Sequence, residues 1–167
     1  MTIIVAKKYK DKIVVASDRQ VTHDWHMKSP FSKIIKIDNM IIGGAGAGAG
    51  CQMMQLFCLE NKLKSCGETD VLMFFKKFIS YATEFDKEYR KDSNDWLIAF
   101  NGEILKVSSG VFIYKDLEVA SIGSGSEIAL GAVHAGFEPV EAVRLASKLT
   151  VYCGEGVDSY EIEVKNE

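Results

Sequence analysis

Residues 2–18 read TIIVAKKYKDKIVVASD. Two apolar runs, Ile3–Ala6 and Ile13–Ala16, flank the polar YKDK, and that pattern predicts a β-hairpin. Asp18 closes the second run at once, and a polar stretch, Arg19–Pro30, follows it. A second strand pair comes next: Lys33–Ile37, a turn at Asp38-Asn39, then Met40–Ile42. The chain then enters GGAGAGAG, Gly43 to Gly50, after which the apolar spacing changes from two to about 3.6 residues. Met53, Leu56, Phe57 and Leu63 predict a first helix at that spacing. A second helix, capped by Thr69 or Asp70, carries a stripe through Val71, Phe74, Phe75, Phe78, Ala82, Phe85 and Tyr89. Aromatics at helical spacing read as core rather than as a stacking platform for a ligand.

Strands return at Trp96–Phe100 and Glu103–Val107, joined by Asn101-Gly102, the strongest short hairpin signal. Val111–Tyr114 and Val119–Ile122 continue them. GSGS, Gly123–Ser126, opens a third helix through Gly136, and Pro139 starts a fourth that runs to about Leu149. A last strand, Val157–Val164, alternates Tyr160, Ile162 and Val164 against Glu161 and Glu163. Strands cluster in hairpins and helices come in pairs. This order predicts an α+β fold, two mainly antiparallel sheets with helix pairs outside them, rather than alternating βαβ units. Residues 1–167 are expected to form a single domain.

The formal charge is −3, from 20 Lys+Arg against 23 Asp+Glu, and no long basic block appears. Nucleic acid and anionic membranes are therefore not expected partners. No apolar run reaches the ~18–20 residues of a membrane span. MTIIVAKKYK lacks the basic–apolar–cleavage order of a signal peptide, so the expected location is cytoplasmic. Cys51, Cys58, Cys66 and Cys153 form no CxxC pair and no zinc spacing, which predicts reduced, packed thiols. His23 and His26 of HDWH could grip a metal from a helix, but nothing around them has helical periodicity. They are read as loop residues. No metal site is assigned and no cofactor is expected.

GGAGAGAG invites a nucleotide reading and fails it in register. Starting G-x-G-x-x-G at Gly44 or Gly46 puts Ala49 or Cys51 in the sixth place, and no G-x-x-x-x-G-K-[ST] exists. Small residues suit a tight strand-to-helix turn, and a backbone N–H near Gly46, Ala47 or Gly48 could face a developing oxyanion. Thr2 gives that turn a purpose. A threonine at a true N-terminus joins a nucleophile and a base on one residue, because its α-amine titrates near 7.7–8.0 in reference peptides, roughly neutral pH. A lysine beside it favours the neutral amine and the anionic hydroxyl, and a carboxylate would hold that lysine. Thr2, Asp18, Lys33 and the glycine turn supply the set. They meet if the two hairpins share one sheet.

TIIVA, YKDKIVVASDRQVT, FSKIIKID, SIGSGSEIALGA, AVRLASKL and GEGVDSYEI together resemble the proteasome β-subunit family, including its bacterial HslV members. The resemblance covers almost the whole chain. It implies the four-layer αββα sandwich of N-terminal-nucleophile (Ntn) hydrolases. It also implies a self-compartmentalising threonine endopeptidase that cleaves unfolded proteins. By that resemblance Thr2 is the nucleophile once Met1 is removed, Asp18 orients Lys33, and Ser124 hydrogen-bonds the terminal amine. The oxyanion N–H falls at Ala47 or at its neighbours Gly46 and Gly48. Implied partners are further copies of the chain in rings and an ATPase unfoldase ring. One departure stands out: Thr150 and Cys153 occupy places where archaeal and eukaryotic members carry Asp and Ser. A catalytically silent ring subunit is the alternative function, and a small-molecule amidase is a third.

Overall fold

The computed structural model describes residues 1–23, 27–108 and 111–164. In chain order the strands are β1 (Ile4–Lys8), β2 (Lys12–Asp18), β3 (Gln20–His23), β4 (Met27–Pro30), β5 (Ile34–Ile37) and β6 (Met40–Gly46). Helices α1 (Gly48–Glu60) and α2 (Glu68–Phe85) follow. Then come β7 (Asn94–Phe100), β8 (Glu103–Ser108), β9 (Phe112–Tyr114) and β10 (Val119–Ile122). Helices α3 (Ser126–His134) and α4 (Pro139–Leu149) precede the last strand, β11 (Val157–Glu163).

β1 and β2 form the expected hairpin, with Ile4 opposite Ser17 and Lys8 opposite Ile13. β10 and β11 extend it into a four-stranded sheet ordered β10-β1-β2-β11, while β5-β6-β7-β8-β9 make a five-stranded one. All of these pairings are antiparallel. The two hairpins therefore do not share a sheet, contrary to the condition set out above; they lie in facing sheets. Both strands of each pair are apolar on both faces, so each sheet needs a cover on each side.

The inner faces meet. Ile4, Ala6, Ile13 and Val15 of one sheet pack with Ile41, Leu97 and Ala99 of the other. On the far face of the first sheet, Ile3, Val5 and Ala16 pack with Ala129, Ala142, Val143 and Ala146 of α3 and α4. On the far face of the second, Ile42, Trp96 and Ile98 pack with Phe57, Phe74, Phe75 and Phe78 of α1 and α2. Alternating residues of single strands thus serve two different cores, and the result is the αββα sandwich. The aromatic stripe is core, as read: Phe57 meets Phe74 at 5.3 Å and Phe78 meets Trp96 at 5.4 Å, both edge to face.

Several boundaries differ from the expectation. α1 starts at Gly48, ahead of the periodic run, and stops before Leu63, where Asn61 caps it with its N–H on the Phe57 carbonyl. The N-cap of α2 is Gly67 rather than Thr69 or Asp70. Phe85 is 68% exposed, because it is the last residue of α2 and the stripe has run past the sheet. The polar stretch after Asp18 contains the small β3–β4 sheet, with Gln20 opposite Pro30; its alternating polar side chains hid it. Of the two histidines, His23 ends β3 rather than sitting in a loop, and His26 lies outside the described residues. Asn101 and Gly102 both take positive φ, +47° and +78°, the type I′ geometry expected of Asn-Gly. All four cysteines are free and buried. Burial pushes the Cys51 thiol up to about 11 and the Cys58 thiol to about 12, so both remain protonated at neutral pH.

Leu97 is fully buried between the two sheets. Leu97→Ala is expected to destabilise the protein by about 2–5 kcal/mol, since the facing sheets cannot collapse onto the void. The shift of the urea unfolding midpoint measures it.

Candidate active site

Asp18 ends β2 and is completely buried. Its Oδ1 accepts the Ile3 N–H at 2.8 Å and the Lys33 ammonium at 2.8 Å. Its Oδ2 accepts the N–H groups of Gln20 at 3.2 Å and Gly154 at 3.1 Å. A carboxylate withdrawn from water is tolerable only when its oxygens are filled in this way. Lys33 stands just ahead of β5 in the opposite sheet and is 3% exposed. Its ammonium therefore crosses from one sheet to the other. It donates a second hydrogen bond, at 2.7 Å, to the carbonyl of Met1.

Thr2 lies between these anchors. Its flanking residues are bonded to Asp18 and Lys33, and its own N–H donates to Ser124 Oγ at 3.2 Å. Its carbonyl accepts the Gly125 N–H at 3.2 Å. Gly123 makes this approach possible: at φ +94°, an added Cβ would stand 2.2 Å from the Thr2 carbonyl oxygen. The GSGS turn is thus pressed against the chain start, and Ser124 is delivered by the same contact. Cys153 Sγ lies 3.8 Å from Ser124 Oγ. The Thr150 hydroxyl is buried and makes no hydrogen bond to any described residue. Thr2, Asp18, Lys33 and Ser124 are therefore brought together, with Cys153 behind the serine.

The glycine turn contributes backbone groups with a definite parity. Along an antiparallel strand, successive residues aim their peptide groups at opposite neighbours. Gly44 N–H donates to the Lys33 carbonyl on the β5 side at 3.3 Å, and Ala47 N–H donates to the Ser93 carbonyl on the β7 side at 3.2 Å. By parity Gly46 faces the β5 side, beyond the point where β5 begins. Gly48 opens α1, where the first N–H groups have no partner within the helix. Of the three turn residues, Ala47 has its N–H committed elsewhere.

Two cavities meet at Thr2. One, of about 170 Å3, is lined by Val21, Phe31, Lys33, Gly46, Gly48 and Cys51. The other, of about 340 Å3, is lined by Gly46, Asp92, Asn94, Asp95 and Ser124. Cys51 and Asn94 are among the lining residues that sequence reasoning did not place here. Cys51 was visible only as a packed thiol. Asn94 was a polar residue two places before a strand assigned from Trp96. Among the described residues, no group of His, Cys, Asp and Glu could hold a metal ion.

The profile of the family described as "Proteasome subunit" matches residues 2–93, a span from Thr2 through Lys33 and the glycine turn. The HslV ATP-dependent protease subunit of Aliarcobacter butzleri is 30% identical over 183 residues, covering 97% of this chain and 97% of that protein. The HslV subunit of Campylobacter lari is 26% identical, covering 97% and 96%. Among solved structures, Thiobacillus denitrificans BPH in complex with epoxomicin superposes with a TM-score of 0.83 at 17% identity, over 98% of this chain and 100% of that one. HslV of Trypanosoma brucei superposes at 0.68 with 24% identity, over 96% and 99%. The same sandwich is thus found in solved structures of low sequence identity to this chain. On fold and on sequence together, the chain belongs to the proteasome subunit family.

Proposed function

We propose that the protein is a threonine-type endopeptidase whose nucleophile is Thr2, released by removal of Met1. Peptide-bond hydrolysis is the coarse reading, supported by full-length likeness to relatives named as protease subunits. The observation that carries the finer one is the Lys33 ammonium, buried on Asp18 and donating to the Met1 carbonyl next to Thr2. While Met1 is attached, Thr2 N is a peptide nitrogen with no basicity, and one Lys33 donor is spent on the residue ahead of it. Once Met1 leaves, that nitrogen is an amine and that donor is released beside it. The Ser124 hydroxyl can then donate to the neutral amine or accept from the protonated one.

The chemistry follows from those positions. The amine takes the Thr2 hydroxyl proton as the oxygen attacks the substrate carbonyl. The tetrahedral oxyanion is held by N–H groups of the glycine turn; parity favours Gly46 and Gly48 over Ala47. The proton passes to the leaving amine and an ester remains on Thr2. Water, deprotonated by the same amine, hydrolyses the ester and restores the hydroxyl. The charge of Lys33 favours the neutral amine ahead of each proton transfer, and Asp18 holds the Lys33 ammonium in place.

Unfolded protein segments are the proposed substrates, and rings of this chain with an ATPase partner the proposed setting. Leu56 and Leu59 on α1 are 55% and 61% exposed, an apolar surface that rings would cover. A second reading, a silent ring subunit, draws on the unpartnered Thr150 hydroxyl and on Cys153 in place of a serine.

Three measurements decide among these. Intact mass of active protein is expected to show chains beginning at Thr2; Thr2→Ala is expected to be inert and Thr2→Ser weakly active. Full activity in chains that retain Met1, or in Thr2→Ala, refutes the proposal. Lys33→Ala is expected to lower kcat by roughly 10²–10⁴-fold, the range for a lost acid–base contribution. A fluorogenic peptide assay on assembled protein reads it. In sedimentation, the protein is expected to run far above its 18.5 kDa chain mass at micromolar concentration.

A further inference from the structure

Asn94 is a polar side chain at the head of an apolar strand, and it is 2% exposed. Its Nδ2 donates to the Ala47 carbonyl at 3.0 Å and lies 3.4 Å from Cys51 Sγ. Its Oδ1 accepts the Ser93 hydroxyl at 3.0 Å. The carboxamide has one orientation that suits these partners, because the Ala47 oxygen can only accept. Ala47 is consequently held at both ends. Its N–H is on the Ser93 carbonyl, and its carbonyl takes both Asn94 and the Cys51 N–H, the latter at 3.2 Å.

A trans peptide is planar, with N–H and C=O opposed. No described peptide bond is cis. Fixing the Ala47 N–H therefore turns the Gly46 carbonyl the opposite way. Fixing the Ala47 carbonyl turns the Gly48 N–H away from Asn94, on the lining of the cavity that Gly48 shares with Thr2. The glycines of the turn leave room for this clamp. A Cβ at Gly50 would stand 2.3 Å from Asn94 Oδ1, and one at Gly46 would stand 3.0 Å from Nδ2.

We propose that Asn94 is a positioning residue for the reaction at Thr2: by gripping the Ala47 carbonyl it sets the plane of the 47–48 peptide, so that the Gly48 N–H is aimed at the oxyanion before substrate arrives. This rests on the peptidase reading of Thr2. A donor aimed in advance stabilises the transition state without reorganising. Since the oxyanion exists only after attack, a misaimed donor lowers kcat and leaves KM in place.

The test uses the full-length protein with its N-terminus processed, and two variants. Asn94→Ala removes the grip. Gly50→Ala leaves Asn94 in place but inserts a methyl group against its carboxamide, while favouring the helix. Each is expected to lower kcat about 10–100-fold, below the loss of a whole oxyanion donor, with KM changed less than twofold. Each is also expected to weaken inhibition by a peptide aldehyde, whose adduct carries a tetrahedral oxygen, by a similar factor. A purely structural role would lower the unfolding temperature and the active fraction, yet leave aldehyde affinity per active site unchanged. That result overturns the proposal, as do wild-type kinetics in both variants or failure of both to fold. If instead the wild-type protein is inert, or Thr2→Ala remains active, the peptidase reading falls and this proposal falls with it. Activity that needs Thr2 but ignores Asn94 removes the proposal alone.

Discussion

One buried carboxylate organises this molecule. Asp18 collects N–H groups from Ile3, Gln20 and Gly154 and the ammonium of Lys33. Those donors come from the entry to β1, the exit from β2, the loop ahead of β11, and the opposite sheet. An unfilled buried charge costs several kcal/mol, so each donor is under pressure to stay in place. The sandwich could be closed by hydrophobic contact alone. Its end, where Thr2 lies, could not be placed to hydrogen-bond accuracy in that way, because apolar packing is not directional. The ion pair supplies the direction.

What was legible in the sequence follows from this division. The hairpins, the Asn101-Gly102 turn and the aromatic face of α2 were legible, because each writes its period or its turn chemistry locally. The partner of each hairpin was not. A strand apolar on both faces says that both are covered and does not say by what, so a shared sheet and facing sheets look alike until packing decides. Asp18 and Lys33 were singled out because a terminal threonine would need a lysine and a carboxylate beside it, and the structure pairs the two next to Thr2. Asn94 was not. Its importance comes from a contact to a residue 47 positions away, and nothing around it in sequence marks it. The β3–β4 hairpin was missed because its short strands, QVTH and MKSP, carry few apolar residues.

Family membership and local chemistry do not carry equal weight at every position. The profile match reaches residue 93, and Ser124, Thr150 and Cys153 lie beyond it. For those residues the coordinates say more. Ser124 Oγ accepts the Thr2 peptide N–H at 3.2 Å. Cys153 meets that serine through sulfur at 3.8 Å, a softer and weaker partner than a hydroxyl. Thr150 meets no hydrogen-bond partner among the described residues. The support behind the serine is therefore thinner than the support behind the lysine, and any loss of vigour in the site would start there.

The sandwich is also lopsided. Its α1–α2 side is filled with phenylalanine and tryptophan, whereas its α3–α4 side closes largely on alanine. A layer of large rings can absorb exchange of one apolar residue for another by repacking, as long as total volume is kept. A layer rich in alanine has less slack, since any substitution of an alanine, other than by glycine, enlarges it. The thin side is the one that carries Ser124 and Cys153. Apolar exchanges are thus expected to cost less stability on the aromatic flank than on the alanine flank. The precision of the serine's placement is protected by the smallest side chains in the core.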